Sequence, residues 1–128
     1  MSKPRIFIVD DDVALSRLVG LKLEKTGRYE ICIEHRSHAA LASAKEFKPD
    51  FFLLDVDMPG KDGGELARDL RADPAFARQP IVFFTSLMSG KETAGREIER
   101  AGKCYLPKTT DVTVIGRCID RVLSNTAK

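Results

Sequence analysis

Two short apolar runs that end in acidic residues constrain the fold of this chain more than any other feature. The run IFIV is followed by three aspartates at positions 10–12, and the run FFLL is followed by Asp55. We expect both runs to be buried strands that carry carboxylates at their ends. Like charges repel at short range, so a fold keeps such a cluster mainly where a cation binds among them. No thiolate or imidazole lies at ligand spacing near these aspartates, which favours Mg²⁺ over Zn²⁺ and predicts phosphate chemistry.

Apolar runs of strand length alternate with stretches of helical periodicity along the whole chain, which predicts five strands and five helices. Unbroken apolarity in the first, third and fourth runs indicates that both faces of the sheet are covered. Together with the alternation, this predicts a doubly wound, flavodoxin-like α/β fold with a five-stranded parallel sheet in the order 2-1-3-4-5. The expected strands are Arg5–Val9, Tyr29–Ile33, Asp50–Leu54, Ile81–Phe84 and Cys104–Leu106.

The expected helices differ in how strongly their apolar stripes are defined. The first carries leucine and valine at helical spacing and should end near Gly27, a residue suited to a helix C-terminus. The last has a continuous stripe from Val112 to Leu123. The fourth, around Ala94, Ile98 and Ala101, has few apolar residues and should be the loosest. An alternative role for Asp11 or Asp12 is to cap the first helix, although capping alone does not explain three consecutive aspartates.

Size and composition predict an ordinary single domain. The chain has 128 residues, 43% of them hydrophobic and 31% charged, with a net charge of +2. We therefore expect one domain over residues 1–128, with its core over about 4–124. The small charge does not favour direct nucleic-acid binding, and no apolar run predicts a membrane span or a signal peptide. A cytoplasmic location with reduced cysteines is the expectation.

The order of polar residues after the strands resembles the response-regulator receiver domain of two-component signalling over essentially the whole chain. Asp10 and Asp11 follow the first strand, and Asp55 ends the third in LLDVDMPGKDG. Thr85 follows the fourth strand in IVFFTS, and Lys108 follows the fifth in YLPK. Each of these signals is weak alone, whereas four in this order are specific.

The resemblance implies a role for each of these residues. Asp55 would accept a phosphoryl group from a histidine kinase or histidine phosphotransfer protein. Asp11 would bind Mg²⁺ directly, Asp10 would bind it through water, and the main-chain carbonyl of Asp57 would complete the protein ligands. The receiver is not expected to be an enzyme beyond self-phosphoryl transfer and autodephosphorylation.

The resemblance also implies a switch and an output. Lys108 would pair with the phosphoryl group, and Thr85 would donate a hydrogen bond to it. Tyr105 stands where many receivers carry an aromatic residue that turns inward on activation. The output would be an unknown downstream protein bound on the face of the fourth helix, fifth strand and fifth helix, and a homodimer stays open.

Other classes of protein share parts of the pattern. Asp55 and Asp57 resemble the DxD loop of haloacid-dehalogenase-type phosphohydrolases, but in that class the acidic metal pair lies downstream rather than upstream. A calcium loop starting at Asp55 would lack ligands at Pro59 and Leu66. A flavin carrier would need a phosphate-binding loop where the three aspartates stand, and their charge would repel the phosphate.

The chain departs from the receiver pattern after its fifth strand. Receivers usually have Lys-Pro there with a cis peptide bond, whereas here Thr109 follows Lys108 and the proline is Pro107. We expect a trans Lys108–Thr109 bond and a less direct approach of the lysine to Asp55. Pro107 would be tolerated because the fifth strand lies at the sheet edge. We interpret His35 and His38 as surface residues far from the aspartates.

Overall fold

A computed structural model describes residues 3–86, 98–100, 103–108 and 111–126, and these form one sheet flanked by helices. The sheet has six strands in the order β2-β1-β3-β4-β6-β5. The strands are β1 Arg5–Val9, β2 Glu30–Glu34, β3 Phe51–Asp55, β4 Ile81–Thr85, β5 Ile98–Arg100 and β6 Lys103–Pro107. The helices are α1 Val13–Lys25, α2 Ala40–Phe47, α3 Gly63–Ala72 and α4 Val112–Thr126, with a 3-10 turn at Ser37–Ala39.

The flavodoxin-like fold class is confirmed. All five expected strands are present, and they pair in parallel in the order that the sequence predicts. Strand β1 lies between β2 and β3, with Val9 opposite Glu34 on one side and Leu54 on the other. The winding direction reverses beside β1, so the carboxyl ends of β1 and β3 border the crevice where such folds bind ligands.

The sheet has a sixth strand that the sequence analysis did not predict. Strand β5 pairs antiparallel with β6 and places Glu99 opposite Cys104. Ile98 was expected in the fourth helix but lies in this strand; Ala94 and Ala101, the other positions of that helix, lie outside the described residues. At Ile98–Arg100, the described part of that expected helix, the backbone pairs with a neighbouring strand instead.

The strand that carries Pro107 is therefore not the edge of the sheet, which corrects the sequence-based argument. Strand β5 pairs only with residues Lys103 to Tyr105, so Pro107 lies beyond its end. Lys108 donates its N–H to Thr85 of β4, and alternation along β6 directs the nitrogen of Pro107 to the opposite side. The missing N–H of the proline thus interrupts no bond to β4.

Helix ends near the crevice follow local chain chemistry. Asp12 caps α1 by accepting a hydrogen bond from the N–H of Leu15, which is the alternative role that the sequence allowed for Asp11 or Asp12. Gly27, with φ of 74°, follows the end of the same helix, also as expected. Asp62 and Glu65 form a capping box at the start of α3. The caps at Asp12 and Asp62 fix where the loops after β1 and β3 end, whereas Gly27 lies at the opposite end of α1, away from the crevice.

Apolar side chains of the central strands alternate between two cores. Ile6, Ile8 and Phe51 pack with α1 and α4 on one face of the sheet. Phe7 and Phe52, whose rings meet edge to face, pack with α2 and α3 on the other. Because both faces are buried, β3 and β4 are apolar up to their last residues, and their first polar residues, Asp55 and Thr85, lie at their carboxyl ends. Among the described residues, no helix is long and apolar enough to cross a membrane.

Candidate phosphoryl-acceptor and metal site

The carboxyl ends of β1 and β3 bring three aspartates together. Asp10 follows β1, Asp55 is the last residue of β3, and both side chains are buried, with 1% and 4% of their surface exposed. Asp11, which is exposed, has a carboxylate oxygen within 4.8 Å of oxygens of the other two. The cluster that the sequence predicted is therefore formed in the structure.

The turn after β1 is organised by its own side chains. Asp10 Oδ1 accepts a hydrogen bond of 2.9 Å from the N–H of Asp12, and Asp12 in turn caps α1. Asp12 is thereby occupied as a cap, which leaves Asp10 and Asp11 to face Asp55. After β3, Asp55 Oδ1 accepts a longer bond of 3.3 Å from the N–H of Asp57, whose side chain is exposed.

Lys108 provides the positive charge of the site. Its Nζ lies 3.0 Å from Asp10 Oδ2 and 3.2 Å from Asp55 Oδ1. The lysine is placed by the backbone, because its own N–H donates to Thr85 at the end of β4. Burial lowers the pKa of Lys108, but hydrogen bonds and attraction to Asp10 and Asp55 outweigh burial and raise it. The ammonium group is therefore charged and shared by the two buried carboxylates.

The electrostatics of Asp55 are dominated by burial. Burial, the charge of Asp10 and a hydrogen bond with Asp11 raise the pKa of Asp55 to about 6, although Lys108 opposes the shift. The positive charge of one lysine thus does not fully offset the burial and the negative charge that raise the pKa of Asp55. A cation bound among them would lower this pKa by direct attraction.

The residues fit a hard divalent cation. Asp10 Oδ2 is buried and makes no hydrogen bond of acceptable geometry, although the Lys108 ammonium is close. Three carboxylates and no sulfur or imidazole ligand make up the group, which matches the oxygen preference of Mg²⁺. Mg²⁺ usually keeps several waters and takes one or two carboxylates, so the set is sufficient.

The two expected switch residues lie on neighbouring strands. Thr85 is buried at the end of β4, with 3% of its surface exposed. Tyr105 of β6 is half-buried, and its ring lies 5.4 Å from that of Phe83 on β4. Phe83 lies opposite Tyr105 in the sheet, and Thr85 lies opposite Pro107.

Lys108 does reach Asp55 despite the altered sequence after it. We expected the ammonium group to approach Asp55 less directly. It lies within contact distance of Asp55, but it is shared with Asp10. The predicted trans Lys108–Thr109 bond involves Thr109, which lies outside the described residues.

The interpretation of His35 as a remote surface residue was wrong. Its Nδ1 lies 3.1 Å from the carbonyl oxygen of Asp10, and the residue is half-buried. His38, in contrast, is exposed as expected. The contact follows from the register of β1 and β2, which local sequence patterns do not contain. Val9 lies opposite Glu34, so the next residues, Asp10 and His35, must be neighbours.

The geometry and the sequence place the chain in one family. The sequence-family model of the response regulator receiver domain matches residues 6–119, so the chain belongs to that family. Response regulator PleD of Caulobacter vibrioides is 37% identical over 107 residues, which cover 84% of this chain and 23% of PleD. RpaA of Synechocystis, a DNA-binding transcriptional regulator, is 37% identical over 109 residues, covering 85% of this chain and 44% of RpaA.

Solved receivers share the fold over nearly their whole length. The BeF3-activated receiver domain of RstA from Klebsiella pneumoniae is 33% identical, with a TM-score of 0.74 over 93% of this chain and 97% of that one. Chemotaxis protein CheY4 of Vibrio cholerae, at 24% identity, has a TM-score of 0.79 over 94% of this chain and 99% of CheY4, which shows the common fold. The chain spans less than half the length of PleD and RpaA.

Proposed function

We propose that this receiver takes a phosphoryl group onto Asp55 from a histidine kinase or a histidine phosphotransfer protein. The observation that carries the proposal is the joint approach of Asp10, Asp11 and Lys108 to the buried Asp55 carboxylate. An oxygen of ionised Asp55 attacks phosphorus, a new O–P bond forms, and the P–N bond of the donor phosphohistidine breaks. The departing imidazole keeps the electron pair of that bond.

The other residues of the site neutralise and orient the phosphoryl group. Asp11, water held by Asp10 and the main-chain carbonyl of Asp57 would hold Mg²⁺, which when bound neutralises charge on the phosphoryl oxygens. The ammonium group of Lys108 contacts Asp55 Oδ1, and after phosphorylation it would pair with a phosphoryl oxygen instead. Phosphoryl transfer depends mainly on such positioning and charge, so this short list of groups is adequate.

The phosphorylated state would be transmitted through the end of β4. The hydroxyl of Thr85 would donate to a phosphoryl oxygen, and this movement would open space for Tyr105 to turn inward. The contact between Tyr105 and Phe83 two residues before Thr85 supports this route. The surface around β6 and α4 would then bind a downstream protein in the cytoplasm, with the whole chain acting as one receiver domain rather than as a classical enzyme.

Phosphorylation with acetyl phosphate tests the proposal. Intact-mass spectrometry should detect one phosphoryl group on the wild-type protein with Mg²⁺ and none in EDTA. Asp55→Asn should abolish the uptake, whereas Asp57→Asn is the matched control, because only its main-chain carbonyl is assigned a role. Uptake that continues at the wild-type rate in Asp55→Asn or in EDTA would contradict the assignment.

The phosphohydrolase alternative has a separate test. A hydrolase that uses Asp55 and Asp57 should release the chromophore from a chromogenic phosphomonoester with many turnovers. We expect the chromophore to be released no faster than a receiver that phosphorylates and dephosphorylates itself slowly would allow. The upstream position of the acidic pair, now seen adjacent to Asp55, supports the receiver.

A further inference from the structure

The side chain of His35 replaces a backbone hydrogen bond that the sheet lacks beside the acidic turn. The β1–β2 ladder continues as far as the N–H of Asp10, which donates to Glu34. The next parallel bond would run from the N–H of Arg36 to the carbonyl of Asp10. That N–H instead donates to Glu34 Oε2, at 3.1 Å, and His35 Nδ1 lies 3.1 Å from the Asp10 oxygen.

The chemistry of the contact defines the donor. A carbonyl oxygen can only accept, so His35 Nδ1 must carry the hydrogen in this bond. Ser16 Oγ lies 3.4 Å from the same nitrogen and is placed to donate its own hydrogen to the carbonyl of Asp12, at 2.8 Å. The imidazole and Ser16 therefore hold the carbonyls at the two ends of the turn that contains Asp11.

The backbone that carries His35 is itself anchored. Glu34 accepts hydrogen bonds from the N–H groups of His35 and Arg36 and from Ser43 of α2. Burial alone would raise the pKa of Glu34, but the bonds from Ser43 and Arg36 outweigh burial and lower it. The carboxylate thus stays ionised and holds the two N–H groups that follow β2, beside the imidazole that contacts Asp10.

We propose that His35 is a positioning residue for Mg²⁺ binding at the acidic turn. This rests on the proposed function, in which Asp11 is a direct ligand. By fixing the Asp10 carbonyl, His35 fixes the peptide that joins Asp10 to Asp11 and hence the direction from which the Asp11 carboxylate approaches the metal. Mg²⁺ demands near-ideal octahedral geometry, so a small rotation of this peptide weakens binding.

Substitutions at two histidines separate positioning from packing. His35→Phe keeps a ring of similar size but removes the donor. His35→Asn places an N–H group on Cγ, where Nδ1 is attached in histidine, and should restore the bond. His38→Phe is the matched control, since His38 is exposed three residues away. Each protein is titrated with Mg²⁺ by calorimetry at one pH, and the Asp11 amide resonance is recorded without metal.

We expect His35→Phe to weaken Mg²⁺ binding about tenfold, the lower end for loss of a group that orients a metal ligand. His35→Asn should recover most of the loss, His38→Phe should bind as the wild type does, and the Asp11 amide should shift only in His35→Phe. Unchanged Mg²⁺ affinity in His35→Phe, or no recovery in His35→Asn, would overturn the proposal. A wild-type protein that fails to bind Mg²⁺ would overturn the proposed function as well, so the two failures are distinguishable.

Discussion

Lys108 Nζ lies 3.2 Å from Asp55 Oδ1, and the same ammonium group also contacts both carboxylate oxygens of Asp10. A single cation thus joins the ends of β1, β3 and β6 at the crevice. The two carboxylates are almost completely buried, so their repulsion is weakly screened. The charge balance of this cluster would make stability and the proposed Mg²⁺ binding interdependent.

Removal of the shared cation should destabilise the metal-free protein. Lys108→Met keeps most of the aliphatic stem but leaves two buried carboxylates without their positive partner. We expect a loss of about 1–3 kcal/mol in the free energy of unfolding, measured with urea in EDTA, and partial recovery when Mg²⁺ is added. Lys61→Met, which breaks an ion pair with Asp69 at the surface, is the control and should cost less than about 1 kcal/mol. Equal losses in the two variants would contradict this account.

Asp55→Asn should stabilise the metal-free protein in a pH-dependent manner. The folded-state pKa of about 6 lies above the ordinary value of 3.8, so the folded state favours the protonated carboxyl. The stability that this provides is present below pH 3.8 and is lost as pH rises through about 6.

Asparagine removes the cost of ionisation, so the gain should reach about 1–3 kcal/mol well above pH 6 and vanish near pH 4. Urea unfolding in EDTA across this range measures it, with exposed Asp57→Asn as the control. A gain that is independent of pH would show that ionisation of Asp55 is not its cause.

Gly63→Ala should disturb the end of β3 that carries Asp55, the proposed phosphoryl acceptor. A Cβ at Gly63 would lie 2.3 Å from the carbonyl oxygen of Asp55, and that oxygen is backbone and cannot rotate away. We expect a loss of about 1–3 kcal/mol in stability and slower phosphorylation by acetyl phosphate.

Gly64→Ala is a closely matched control in the same helix. Its Cβ would approach nothing nearer than the Asp62 side chain at 3.4 Å, and alanine favours the helix, so stability should rise by up to about 1 kcal/mol. If Gly63→Ala is tolerated as well as Gly64→Ala, the close approach does not constrain Asp55.

Tyr29→Phe should loosen the contact between the start of β2 and α4. The buried hydroxyl lies 2.8 Å from Asp120 Oδ1 and 3.1 Å from the carbonyl oxygen of Gly116. Burial and Asp120 raise the pKa of Tyr29 to about 12, so its contribution to stability is complete below pH 10 and is lost as pH rises through about 12.

We expect Tyr29→Phe to cost about 1–2 kcal/mol at pH 7 by urea unfolding. Arg28→Ala removes an exposed ion pair with Asp120 and the contact of the guanidinium with the Tyr29 ring, and should cost less than Tyr29→Phe. A Tyr29→Phe protein as stable as the wild type would show that the hydroxyl bonds are no better than those it makes to water.

The strands and the acidic turns could be predicted from local sequence. A strand that is buried on both faces needs an unbroken apolar run. Polar residues can begin only where such a strand ends. The run before Asp55 and the run before Asp10 therefore revealed both the parallel sheet and the carboxylate cluster. Gly27 indicated the end of α1, and Asp11 and Asp12 were both candidates for its cap, because helix caps depend on one or two neighbouring residues.

Other features depend on contacts between distant parts of the chain, and only the tertiary structure decided them. Ile98 joins a strand because β6 offers its backbone as a partner, which overrides a weak helical pattern. Lys108 divides its charge between Asp10 and Asp55 because β6 ends beside β4 and near both strands that carry them. His35 contacts the acidic turn because the register of β2 on β1 brings it there, and a local pattern contains no register.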